Sequence, residues 1–275
     1  MTPPIRKYPR TRHIEGSRLQ HGDDDQTSVP FDEIKGLPLV VEEKIDGANC
    51  AVSFDENGEL LLQSRGHYLT GGVREKHFNL LKQWAATHRQ TFFNVLENRY
   101  VMYGEWVYAK HTVFYDRLPH YFLEFDVLDR HTDRFLDTPS RRELLATIPI
   151  EAVPVLKSST FAKLKELVSL IGHSRFIGAE HLAEMVRYCK STGLNADTAC
   201  RETERSAMME GLYIKHEQDG QVIGRYKYVR AGFLQTVLAS ESHWLARPII
   251  PNRLVRKLDD LFLPQLPPIL EGDEQ

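Results

Sequence analysis

The sequence predicts an α+β fold, antiparallel sheets with flanking helices, and three observations carry it. Apolar segments meet at Asn57-Gly58, between residues 50–54 and 59–63, and at Asp219-Gly220, between 212–217 and 221–228. Both dipeptides accept the positive φ of a tight hairpin. Helix-period segments are inserted between strand-like ones. The regular strand–helix alternation that builds a doubly wound parallel sheet is missing.

The elements follow in order. Residues 1–12 hold Arg6, Lys7, Arg10 and Arg12, no acid and three prolines. They read as an extended basic arm, with a solvated tail as the competing reading. Asp23-Asp24-Asp25 reads as an acidic loop. Residues 39–43 read as a strand, followed by the first hairpin. Phe78, Leu81, Trp84, Ala85, His88, Phe92 and Val95 keep a 3–4 spacing, which predicts one amphipathic helix with a core-facing aromatic side. Residues 99–108 and 120–128 read as strands. From about 140 to 209 the period changes. Phe161, Leu164, Leu167, Val168 and Ile171 share one helix face, and Leu182, Met185, Val186 and Cys189 another, so a helical insert is expected. The second hairpin follows. The expected division is a domain over 1–232 and a short C-terminal extension over 233–275, which carries Arg247, Arg253, Arg256 and Lys257.

The 275 residues include 35 Lys and Arg against 38 Asp and Glu, a formal charge of -3. This excludes a uniformly basic binder but leaves room for a local basic groove. With 41% hydrophobic residues, 13 Phe, 11 Tyr and 3 Trp, the composition is that of a soluble globular protein. No apolar run approaches the ~20 residues of a membrane span, and the N-terminus lacks the apolar core of a secretory signal. Three cysteines cannot build a disulfide framework and suggest a reducing cytoplasm. Cys189, Cys200, His173 and His181 match no common zinc spacing. Neither GxGxxG nor GxxxxGK[ST] occurs.

Chemistry concentrates in six ordered segments: Glu43-Lys44-Ile45-Asp46-Gly47-Ala48-Asn49, Ser64-Arg65-Gly66, Tyr103-Gly104-Glu105-Trp106, Phe122-Leu123-Glu124-Phe125-Asp126, Glu210-Gly211-Leu212-Tyr213-Ile214-Lys215, and Arg225-Tyr226-Lys227. The first alone is a tight turn presenting an amine, which a solvated surface lysine would also satisfy. Together the six resemble the covalent lysine nucleotidyltransferases over about residues 39–230: DNA ligases, RNA ligases and mRNA capping enzymes. Asn49, five residues after the lysine, makes the chain most similar to the RNA ligases that seal nicks in duplex RNA. The roughly 45 residues after Arg230 would barely hold the OB-fold usual in DNA ligases and capping enzymes.

The resemblance implies the nucleotidyltransferase fold, with ATP in a cleft, and an ATP-dependent RNA ligase joining 5′-phosphate to 3′-hydroxyl ends. Lys44 would become adenylylated, with Glu210 and Lys227 beside it in catalysis. The nucleotide site implied is Lys44, Asp46, Gly47, Asn49, Arg65, Glu105, Phe125, Glu210, Lys215, Arg225 and Lys227. Within it Glu105 would bind the ribose, Phe125 would stack on adenine, and Glu210 and Glu105 would lie near Mg²⁺ or Mn²⁺. The partners implied are nicked or structured RNA ends, with room for an end-healing kinase or phosphatase and no membrane. A small DNA ligase and a non-catalytic nucleic-acid binder are the alternatives. The last motif departs from the usual Lys-x-Lys by carrying Arg225. Arginine can still grip phosphate but cannot supply a proton.

The residue chemistry suits this reaction. A free lysine amine is scarce at pH 7 because its ordinary pKa is ~10.4. A nearby divalent cation, or Lys227 and Arg225, is therefore expected to depress the pKa of Lys44.

Overall fold

The computed structural model describes residues 3–18, 28–233, 247–267 and 269 (for Val73 and Arg74 the backbone alone). The expected Asp23–Asp25 loop lies outside the described residues. Among those residues no helix is long and apolar enough to cross a membrane.

Two sheets form the body. The first orders β1 (Arg12–His13), β11 (Gln221–Val229), β10 (Gly211–Gln218), β2 (Leu39–Lys44) and β9 (Val155–Ser159). The second orders β4 (Leu60–Ser64), β3 (Ala48–Phe54), β5 (Tyr100–Trp106), β6 (Phe122–Asp129) and β7 (Arg134–Phe135), and β8 (Glu151–Ala152) runs parallel to β6. Pairing is otherwise antiparallel except between β1 and β11.

Both expected hairpins form. In the first, Asp55 Oδ1 accepts from the Asn57 and Glu59 amides and Gly58 takes φ 73°. In the second, Asp219 and Gly220 take φ 52° and 77°, the successive positive values of a turn matched to strand twist.

Two expectations need correction. The 78–95 segment is two helices, α1 (Asn79–Thr87) and α2 (Arg89–Leu96), broken at His88 (φ -95°, ψ 10°). Buried His88 places Nε2 2.7 Å from the Leu261 carbonyl oxygen. Trp84 and Phe92 still contact each other in the core, so the spacing survives the break. The insert is also not wholly helical. It holds α3 (Thr138–Leu145), α4 (Leu164–Val168), α5 (His181–Ser191) and α6 (Ala196–Arg201), but also β8 and β9. β9 extends the first sheet by pairing with β2. Strands of two and five residues are too short to show a period of two above noise.

A buried charge network joins the sheets. Lys215 on β10 lies 2.9 Å from Glu42 on β2 and 3.1 Å from Asp126 on β6. Arg141 on α3 pairs with Glu42 and with Glu124 of β6, and Arg225 on β11 lies 3.2 Å from Asp126. Three carboxylates thus face three cations with almost no water access. Such a set is tolerable only when every member is paired.

Candidate active site

β2 of one sheet and β3 of the other are consecutive, joined by Ile45-Asp46-Gly47. The site forms at this junction. Lys44 ends β2 and pairs in register with Gly211, the first residue of β10. Only glycine fits at 211, because a Cβ there would lie 1.9 Å from the Tyr228 oxygen of β11. Glu210 therefore arrives beside Lys44, with Oε1 2.7 Å from Nζ. Gly47 has an equally strict reason. A Cβ would lie 2.7 Å from Val107 Cγ1, 2.8 Å from the Trp106 oxygen and 2.9 Å from Glu105 Cγ. This close approach brings Glu105 of β5 to the turn. Across the ladder from Glu105 stands Asn49, whose buried Oδ1 has no hydrogen-bond partner among the described residues.

The electrostatics follow from burial. Burial works against the charge on Lys44, but Glu210, then Glu105 and Asp46, outweigh it and raise the pKa above the ordinary lysine value. This corrects the expectation that Lys227 and Arg225 depress the pKa. The groups nearest the amine are carboxylates, and Arg225 is committed to Asp126. Burial pushes the Glu105 carboxyl up to about 8, with Lys44 opposing and Glu210 and Asp46 reinforcing. It pushes Glu210 up to about 7 against the pull of Lys44, while Lys227 also acts to lower it. The site is therefore short of positive charge.

The other expected residues are placed in different ways. Asp46 is engaged by the backbone: its Oδ2 accepts from the Thr112 and Val113 amides, each at 2.7 Å. Lys227 lies on β11 opposite Tyr213, within electrostatic reach of Glu210. Arg65 is exposed just past β4. Lys215 and Arg225 belong instead to the buried network around Asp126. Lys215 also donates to the Phe125 carbonyl, and the Arg225 guanidinium lies 3.8 Å from the Phe135 ring centre. The motif pattern could not foresee this, because their acidic partners come from other strands. Phe125 is 9% exposed, with Tyr8 at 5.1 Å and Tyr213 at 6.1 Å between ring centres. Tyr8 was not legible as a site neighbour. It arrives on the basic arm and bonds Asp126 and Tyr213 through its hydroxyl.

Among the described residues no group of three or more His, Cys, Asp or Glu is arranged to hold a metal ion. Magnesium does not require one, since it is commonly held by one or two carboxylates together with substrate phosphates and water. Glu210 and Glu105, crowded and under-compensated, fit that description.

The model of the RNA ligase family matches residues 37–229. No curated protein matches the chain in sequence. Among solved structures, a Naegleria gruberi RNA ligase variant with AMP and Mn gives a TM-score of 0.51 at 14% identity, covering 85% of this chain and 60% of that one. The Naegleria gruberi RNA ligase with PPi gives 0.50 at 18%, covering 85% and 63%. An archaeal ATP-dependent RNA ligase gives 0.46 at 18%, covering 83% and 49%. In each case the chain spans less than two thirds of the other protein's length, and the two Naegleria gruberi matches, at these identities, speak for the fold. The matched segment, from the strand before Lys44 to the end of β11, contains the whole Lys44–Glu105–Glu210 cluster, and by that match this chain belongs to the RNA ligase family.

Proposed function

We propose that the chain is an ATP-dependent RNA ligase that joins 5′-phosphate to 3′-hydroxyl ends through an adenylylated Lys44. The observation that carries this reading is the contact at 2.7 Å between the partly exposed Lys44 amine and the buried Glu210 carboxyl. It puts the reactive amine and a carboxyl of pKa about 7 in direct contact. Family membership and solved relatives holding AMP and Mn or PPi support the choice of substrate.

The chemistry then runs in three transfers. Lys44 gives up its proton to Glu210, and its Nζ attacks the α-phosphorus of ATP. The bond to pyrophosphate breaks as the N–P bond forms. A 5′-phosphate oxygen next takes the AMP from Nζ, which restores the lysine. The 3′-hydroxyl oxygen then loses its proton to solvent and attacks the 5′-phosphorus, and the bond to AMP breaks as the phosphodiester O–P bond forms. Glu210 and Glu105 would hold Mg²⁺ or Mn²⁺, which would supply charge neutralisation at the phosphates. Glu105 also reaches the ribose, Phe125 contacts adenine, and Lys227 and Arg65 meet phosphates. Asp46 and Gly47 shape the turn. Asn49 offers its unpaired Oδ1 to the nucleotide or to the RNA end, the feature on which assignment to the duplex-nick-sealing branch rests.

The three cysteines are unpaired, which suits a reducing cytoplasm. An end-healing kinase or phosphatase would supply the 5′-phosphate and 3′-hydroxyl ends. The test is incubation with α-labelled ATP and Mg²⁺ followed by a denaturing gel. Label should remain on the wild-type chain and be absent from Lys44→Ala. An unlabelled wild type would leave a nucleic-acid binder. Equal sealing of all-DNA and RNA-ended nicks would make the chain a DNA ligase.

A further inference from the structure

The turn that carries Lys44 rests on the segment from Trp106 to Asp116, and that segment is clamped by the C-terminal tail. The Asp46 amide donates to the Tyr115 hydroxyl at 2.9 Å, two residues beyond the lysine. Together with the two amides on Asp46 Oδ2, this is the third bond tying the turn to residues 112–115. Tyr115 is 1% exposed and its ring packs edge-on against Phe176, so its hydroxyl has one place to be.

Asn252 fixes that place. It is fully buried, and all four of its polar groups act on residues 107–121. Its Oδ1 accepts from the Tyr115 amide at 2.9 Å, and its Nδ2 donates to the Val107 carbonyl at 2.8 Å. Its own amide donates to the Tyr108 carbonyl at 2.8 Å, and its carbonyl accepts from the Tyr121 hydroxyl at 2.7 Å. The next amide, of Arg253, donates to the Tyr115 carbonyl at 2.8 Å. Val107 is also the residue that a side chain at position 47 would strike. The tail therefore sets both supports under the turn: the phenol beneath Asp46 and the isopropyl group beside Gly47.

We propose that Tyr115 is a positioning residue for Lys44, and that the C-terminal segment locks it in place through Asn252. The proposal rests on the reading of Lys44 as nucleophile. Its physical basis is tolerance. In-line attack needs the nucleophile within a few tenths of an ångström of its place, and a 1 Å error can cost about a hundredfold in rate. Lys44 also sits at the end of β2, where the ladder no longer constrains the chain beyond it.

The test uses Tyr115→Phe in the full chain, which keeps the ring and removes only the oxygen that receives the Asp46 amide. Single-turnover label transfer from ATP should fall at least about tenfold at saturating ATP, with KM for ATP within about twofold of wild type. A second readout needs no ligase chemistry: the pH profile of Lys44 acylation by acetic anhydride in the nucleotide-free protein, followed by peptide mass spectrometry. The groups facing the amine are Glu210, Glu105 and Asp46. Loosening Lys44 from Glu210 should move the profile to lower pH. Wild-type transfer rates, a change confined to KM, or an unmoved acylation profile would overturn the proposal. Asn252→Ala, which releases Tyr115 and Val107 together, should lower label transfer in the same way, and should it fail to fold, Tyr115→Phe still decides the matter. If the wild type transfers no label, the ligase reading fails, and the acylation profile alone judges the positioning.

Discussion

Lys44 and Glu210 meet at 2.7 Å although one ends β2 and the other immediately precedes β10, near opposite ends of the matched region. Their contact defines the protonation state of the site before any nucleotide binds. Glu210 holds the amine in its charged form, so Glu210→Gln should shift the pKa of Lys44 downward. The acylation profile of Lys44 would report this as reactivity appearing at lower pH. An unchanged profile would mean that Glu210 does not control the proton.

The two carboxyls set a pH dependence. Glu105 titrates at about 8 and Glu210 at about 7, both above the unfolded value near 4.5. The folded chain therefore holds more protons than the unfolded one between about pH 4.5 and 8. Stability from these groups is fully present below that window and is lost as pH rises through it. In chelator-treated protein, Glu105→Gln should flatten the decline in Tm between pH 6 and 9. Parallel Tm curves for the mutant and wild type would refute the assignment.

Divalent cations should reverse the same decline. A bound cation compensates ionised Glu105 and Glu210, so Mg²⁺ or Mn²⁺ should raise Tm more at pH 8.5 than at pH 6.5 and release protons on binding. Calorimetry in two buffers of different ionisation heat measures that release.

Breaking the buried network should be expensive. Lys215→Met strips one cation from between Glu42 and Asp126 and leaves carboxylates uncompensated. A loss of about 3–5 kcal/mol is expected in urea unfolding. A loss below 1 kcal/mol would show that water reaches the network.

Gly47→Ala should be damaging for steric reasons alone, because the added methyl meets Trp106 backbone as well as side chains. About 1–3 kcal/mol of stability should go, along with most label transfer. A substitution that retained both would mean the turn is looser than its contacts imply.

The legible part of this protein was local. Hairpins announced themselves through Asn57-Gly58 and Asp219-Gly220, and the candidate lysine, Lys44, through its Asp-Gly turn. Lys215 and Arg225 carried the right residue type in the right motif. Their use depends on Glu42 and Asp126, which reach them from other strands, and no spacing rule encodes such a meeting. The break at His88 was hidden for the same reason, since its partner Leu261 lies far along the chain. Asn252 gave no signal at all, as a single asparagine in a proline-rich tail.

The topology also has a temporal meaning. All but one strand of the second sheet comes from a contiguous stretch, residues 48–135, whereas the first sheet combines β1 and β2 with β9, β10 and β11. During synthesis the contiguous sheet can close early, because β3 to β7 pair with one another within that stretch. The other sheet must wait until β10 and β11 leave the ribosome. Glu210 reaches Lys44 only at that last closure, so a half-made chain lacks the Lys44–Glu210 contact, and the proposed site arrives together with the completed fold.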